Sequence, residues 1–184
     1  RYKSLFEGNY TAPNAPERMN GPDDLDGVNR LFYSRGWTDG LPIIPPTPAR
    51  YEKMLSGTNF DENQLLSLIE PRQGKATVGK VAVNAVMSGC LPEHLPVLVA
   101  AANALGNSDL NLKALNTTTH PCAVLAIISG PIVEEIDINS TYNALGQGSL
   151  ANATIGRAVR SMLLNIGGGT PGILDRATMG SPAK

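Results

Sequence analysis

The chain has no surplus of charge of either sign. Its 15 lysines and arginines stand against 16 aspartates and glutamates, a formal net charge of −1 over 184 residues. Nucleic-acid binders carry a basic face, and nothing here resembles one, so partners of that class are not expected. Cysteine is nearly absent. Cys90 and Cys122 are its only representatives, with no CxxC pair and no metal-ligand spacing between them. That excludes a disulfide framework and a recognisable zinc site, and it fits a reduced, cytosolic protein; a single Cys90–Cys122 bridge stays open as an alternative. Although 42% of residues are hydrophobic, no apolar run approaches the roughly 20 residues of a membrane span. Internal repeats and low-complexity tracts are missing, and no apolar signal segment follows Arg1.

Glycine (19) and proline (14) are plentiful, which predicts many short elements joined by shaped turns. The length suits one well-packed domain. The expected architecture is α/β: a single domain over 23–184, with a small mixed sheet flanked by helices, preceded by an extended N-terminal arm over 1–22. Tyr2, Phe6 and Tyr10 are scattered through that arm without a period, so it either lies on a surface or is disordered. The start at Arg1 and the loop-like end at Ala183–Lys184 lead us to expect a unit that is incomplete without a partner or a C-terminal chain.

Asp23 can cap a helix over 24–35, with Leu25, Val28, Leu31 and Phe32 on one face and Gly36 as its stop. The Trp37–Gly40 turn leads into a short extended piece and the rigid Pro45–Pro46 exit. Thr47–Pro48 then opens a helix that Gly57 ends. Gln64–Ile69 reads as a strand. Over 76–89, Val78, Val81, Ala82, Ala85 and Val86 repeat at helical steps, leaving Lys80, Asn84 and Ser88 to the surface. A second helix begins near Pro92 and runs to Gly106. Alternation at Leu110, Leu112 and Ala114 predicts a half-exposed strand over 110–116. Residues 122–129 form a nearly continuous apolar run that suits a strand buried on both faces, followed by Ile132–Ile138. Ser149 caps a last helix over 150–166, ended by Gly167–Gly169.

His120 is the leading site candidate. The residue before a proline is held extended, which places His120 at the mouth of the 122–129 strand, beside Thr117, Thr118, Thr119 and Cys122. Ligands of α/β proteins bind at such mouths, and the hydroxyls can orient an imidazole as general acid–base; a structural histidine is the alternative. The stretch Asn143–Arg157 is the second candidate. Gly146 and Gly148 precede the Ser149 cap, so free amides face an anion at a helix N-terminus. The spacing matches neither a dinucleotide fingerprint nor a phosphate loop, and turn formation also explains the glycines. Cys122 reads as a small buried hydrophobe, and Cys90, after a helix C-terminus, as an unactivated thiol. A metal held by the two cysteines with His94 and His120 has no support from spacing. Asp39 in the Trp-Thr-Asp-Gly turn is most simply a turn residue.

Together WTDGLPIIPPTPARYEKML (37–55), ATVGKVAVNAVMSGCLPEHLPV (76–97), TTTHP (117–121) and NALGQGSLANATIGRAVR (143–160) resemble bacterial proteins associated with the UGSC family, which is named for a selenocysteine- or cysteine-containing motif. The resemblance spans about residues 31–182. It implies one part of a longer chain, or a subunit whose partner carries the motif. Ser88-Gly89-Cys90 has similar letters in another order, so the redox-active centre is not transferred to Cys90. Positions carried over as site residues are Trp37, Asp39, Lys80, Thr119, His120, Asn143, Asn152 and Arg157.

The resulting expectation is a subunit of a multi-chain bacterial enzyme. His120, Asp39 and Lys80 would be catalytic; Trp37, Thr119, Asn143, Gly146, Gly148, Ser149, Asn152 and Arg157 would bind substrate. The resemblance points to redox chemistry on a small sulfur-containing or other organic substrate, without naming a cofactor. Expected partners are that substrate and another protein chain in an oligomer, with no membrane. A non-catalytic scaffold or binding subunit is the alternative.

Overall fold

A computed structural model describes residues 18–180. The expected arm therefore falls mostly outside the described residues; 18–22 is exposed and forms no helix or strand. Helix α1 (Leu25–Ser34) starts where Asp24, rather than Asp23, accepts the Gly27 amide. Helix α2 (Pro48–Leu55) is capped by Thr47, with proline in the first turn, where its missing N–H costs nothing. Strands β1 (Leu65–Ile69) and β2 (Gly74–Thr77) form an antiparallel hairpin in which Leu68 faces Lys75 and Ile69 faces Gly74. Gly74 is required there: a Cβ would collide with the Ile166 carbonyl. Thr77 ends β2 and also caps helix α3 (Val78–Ser88), so hairpin and helix join without a loop.

A 3₁₀ turn at Pro92–His94 leads into helix α4 (Leu95–Leu105). Helices α5 (Leu112–Thr117) and α6 (Ile132–Glu135) are short, and helix α7 (Leu150–Asn165) is the longest. Helix α3 is the centre of the packing, with α2, α4 and α7 around it and β1 against α4. Ile69, Leu95, Leu98 and Met162 are fully buried between these elements; truncating such a side chain to alanine typically costs about 2–5 kcal/mol. The chain is thus a single α/β domain, helix-dominated, with one small sheet. None of its described helices is long and apolar enough to cross a membrane.

Several expectations need correction. The sheet is antiparallel and two-stranded, not mixed. Residues 110–116 are not a strand: Leu112 and Asn116, one helical turn apart, are both buried, and Leu115 is partly so, which makes α5. The apparent two-residue alternation was a coincidence of Leu110 and Leu112. Residues 132–138, given no element type from the sequence, hold the short helix α6. The run 122–129 is straight, with no bend, turn or helical bond, but it pairs with no described strand, and Leu125 and Ile127 are 65% and 87% exposed. Cys122 is consequently exposed, not buried.

Candidate functional site

Two of the expected site residues meet directly. Arg157, on the second turn of α7, donates through Nε to Asp39 Oδ2 at 2.8 Å and through Nη2 to Oδ1 at 2.9 Å. Nη2 also reaches the carbonyls of Pro42 (2.8 Å) and Leu41 (3.4 Å). This fork fixes the Trp37–Leu41 turn against α7. Inside the turn, Asp39 Oδ1 accepts the Leu41 amide and Thr38 Oγ1 accepts that of Gly40. Burial alone would raise the Asp39 pKa; the hydrogen bond and charge of Arg157 outweigh it and hold the carboxyl below its ordinary value. Trp37 is half-buried, edge-on to Phe32 at 5.3 Å between ring centroids, with the Arg35 guanidinium 5.7 Å from its ring.

A polar seam missed in the sequence runs beneath that turn. Asn165 Nδ2 donates to the Trp37 carbonyl (3.1 Å) and to Asn84 Oδ1 (2.9 Å), and Ser88 Oγ lies 3.3 Å from Ser161 Oγ. Asn84 and Ser88, expected on the surface, are buried because they face α7 rather than water. Their signal was legible: Asn84 and Ser88 on α3, and Ser161 and Asn165 on α7, are each spaced by four. Lys80, one turn before Asn84, is half-buried and makes no ion pair with a described residue. Desolvation, then the charge of Lys75, lowers its pKa.

His120 and Thr119 belong to a different group. Both are exposed; the His120 amide donates to Thr118 Oγ1, and the Thr119 carbonyl accepts from Thr178 N–H (3.0 Å) and Oγ1. Nearby in sequence, Asp175 pairs with Arg160 at 3.2 Å. Arg160 Nη1 is buried without a hydrogen-bond partner among the described residues, and Arg160 lines a cavity of about 40 Å³ together with Asn116 and Cys122. That volume is of water size, not substrate size.

The third group surrounds the start of α7. Asn152 spends its whole amide on its own loop: Oδ1 accepts from Asn139 N–H and Ser149 Oγ, and Nδ2 donates to the Asn139 and Ala144 carbonyls. Asn143, in the left-handed region at φ 62°, donates to the Gln147 carbonyl and accepts the Gly146 amide through its own carbonyl. The amides of Gly148, Ser149 and Leu150 have no described partner. Gly148 and Ser149 line an open depression of about 520 Å³ that Asp137 also lines, a carboxylate that opposes anion binding there.

His94, buried beside α7, accepts the Leu91 amide at Nδ1 (3.2 Å), which puts the ring proton of the neutral form on Nε2. Cys90 donates to the Thr154 carbonyl, and burial pushes its thiol up to about 11, so it is a structural thiol. Among the described residues no three His, Cys, Asp or Glu side chains form a group able to hold a metal ion. Compared with protein-family models, with curated proteins and with solved structures, the chain matches none.

Proposed function

We propose that the chain is a subunit of a multi-chain bacterial enzyme of UGSC type, with the site it contributes completed by another polypeptide. The observation that carries this reading is the separation of the candidate side chains into three open groups. Asp39 and Arg157 hold one another, with Lys80 on the helix below; Thr119 and His120 lie exposed on a second group; Gly148 and Ser149 border a third. Groups left open in one chain are enclosed when a second chain covers them, and exclusion of water is what gives such groups catalytic strength. The redox class, and a small sulfur-containing or other organic substrate, rest on the motif resemblance alone. A cytoplasmic location rests on the cysteine usage.

In this reading His120 acts as general acid–base and Lys80 supplies a cation of lowered pKa. The assembly isolated from its source through a tag on this chain should contain a second polypeptide by native mass measurement. It should also turn over low-molecular-weight thiols or disulfides. His120→Ala should lower turnover by about 10²–10⁴-fold, with the melting temperature almost unchanged, since the residue is exposed. A lowered melting temperature with unchanged turnover would make it a structural histidine. A scaffold or binding subunit is the second reading, favoured by the mutual neutralisation of Asp39 and Arg157 and the full internal use of Asn152. An assembly whose turnover is indifferent to His120 and Lys80 would select it.

A further inference from the structure

We infer that the Cys90–His94 turn is a proton-operated latch: when His94 gains a proton, its ring lets go of the Leu91 amide and the turn lifts from helix α7. The latch needs no second chain, so it stands apart from the subunit reading. Both ends of the turn bear on one residue of α7. The Cys90 thiol donates to the Thr154 carbonyl at 3.3 Å, and His94 Nδ1 stands 3.4 Å from the Thr154 hydroxyl. Between these ends the turn closes on itself. The His94 amide donates to the Leu91 carbonyl at 3.0 Å, and the Leu91 amide donates back to Nδ1 at 3.2 Å. The turn is also pressed against the end of α2, where a Cβ on Gly57 would collide with the Pro92 carbonyl.

The placement of protons allows one arrangement for each charge state. Thr154 donates its hydroxyl proton to the Leu150 carbonyl at 2.8 Å, so toward the ring it offers lone pairs alone. A neutral ring with its proton on Nε2 accepts from Leu91 and gains nothing from Thr154. A charged ring donates from both nitrogens. Its Nδ1 proton then confronts the Leu91 N–H, and its acceptor is the Thr154 hydroxyl instead. Turning the ring over does not restore the lost bond, because a C–H then faces the Leu91 amide. Charging therefore transfers the ring's bond from Leu91 to Thr154 and leaves the Leu91 amide unpaired, a condition relieved when residues 90–92 lift into water. Leu91 is already 40% exposed, whereas His94 is 2% exposed, so the lift begins at the surface and uncovers the ring.

The surroundings leave this titration to His94. Burial holds the ring below the ordinary histidine value, and the neighbouring, exposed Glu93 acts weakly the other way. Helix α4 carries no titratable residue. On α7, Arg157 is paired with Asp39 and Arg160 with Asp175. On α2, Tyr51 is bonded to Glu62, and Arg50, Glu52 and Lys53 are exposed. Cys90 is a neutral thiol, pushed up to about 11. Because the closed pKa is the lower one, the latch is shut above about pH 6.5, the value of a freely solvated ring, and loosens as pH falls below it.

Cys90, next to the released amide, reports on the latch. In the Cys122→Ser chain, labelling by dithiodipyridine, a reagent that still reacts in acid, is followed from about pH 7.5 to 5 and normalised to a short cysteine peptide. Far-UV circular dichroism is recorded on the same samples. The normalised rate should rise by roughly 10- to 30-fold between about pH 6.5 and 5, since one proton changes the open-to-closed ratio by up to about tenfold per pH unit, with the helical signal unchanged. His94→Gln offers Leu91 an acceptor and has no proton to gain, so its rate should stay flat. Thr154→Val keeps the methyl that packs on Gly89 but removes the acceptor of the charged ring. It should move the rise to lower pH, and it tests the latch on its own should the glutamine variant fail to fold. A rate indifferent to pH, a rise that persists in His94→Gln, a rise unmoved by Thr154→Val, or one that tracks loss of the helical signal would each overturn the inference.

Discussion

Arg157→Ala should detach the turn that carries Trp37 and Asp39. The guanidinium makes four hydrogen bonds to residues 39–42, bridging 118 positions of sequence to Asp39. With side chains 23% and 19% exposed, the pair lies between two regimes. A surface ion pair contributes about 0–1 kcal/mol, and breaking a fully buried one costs about 3–5 kcal/mol. The expected loss is therefore roughly 1.5–3 kcal/mol, which lowers the melting temperature by about 3–12 °C for a domain of this size. Arg157→Lys keeps the charge but not the fork and should recover less than half of it. A urea-denaturation cycle with Asp39→Ala should give a coupling of about 1–2 kcal/mol; additivity within about 0.5 kcal/mol would refute the tether. Acid adds a second check. The folded pKa of Asp39 lies below its ordinary value, so its contribution is fully present above about pH 4 and is lost as pH falls through the lower folded value. The gap between wild type and Arg157→Ala should narrow over that range.

His94 is held below the ordinary histidine pKa by burial, which outweighs the opposing charge of Glu93. Its contribution is therefore present above about pH 6.5 and is lost as pH falls below it. Melting temperatures of wild type should drop between pH 7.5 and 5, and His94→Gln should flatten the profile; an unchanged slope would clear His94. Iodoacetamide should label Cys122 in the native chain and Cys90 only after denaturation, because Cys90 is buried with a raised pKa; two native adducts per chain would contradict this. Gly89 ends α3 at φ 87° with ordinary clearance for a Cβ, so Gly89→Ala should cost about 1–2 kcal/mol through backbone strain alone. A loss below roughly 0.3 kcal/mol in chemical denaturation would show the helix end relaxing instead.

Helices announced themselves in the sequence where local rules decide them. Thr47 and Ser149 cap the helices their positions predict, whereas Thr77, read as helical, caps α3 and Gly89, read as part of its repeat, is its left-handed stop. Strands were less legible because their partners are distant. The β2 strand is only four residues ending in a helix cap, so Ala76 and Thr77 were read as the start of the following helix and Gly74 and Lys75 were left unassigned. Residues 122–129 have the composition of a doubly buried strand, and that composition stands; the neighbours that would bury it are not among the described elements. In the candidate site, Asp39 and Arg157 were each singled out, but their contact was not, because hydrogen bonding across long sequence gaps leaves no local pattern. Asn84 and Ser88 were assigned by helical face alone, and Ser161 and Asn165 were not singled out. Polar residues spaced by four were read as solvated, when two such rows were solvating each other.

Those two rows also act as a key. A pair of uniformly apolar helices can slip along one another by one turn, about 5.4 Å, and exchange one set of contacts for a similar one. For α3 and α7 a slip would strand buried amide and hydroxyl groups, each costing about 1–3 kcal/mol unpaired. One setting of the two helices is therefore selected from several that packing alone would tolerate. Arg157 rides on that setting, one turn before Ser161. Its reach to Asp39 is thus graduated by side chains that touch neither residue, and the alignment of the Trp37–Leu41 turn is decided inside the helix interface rather than at the turn itself.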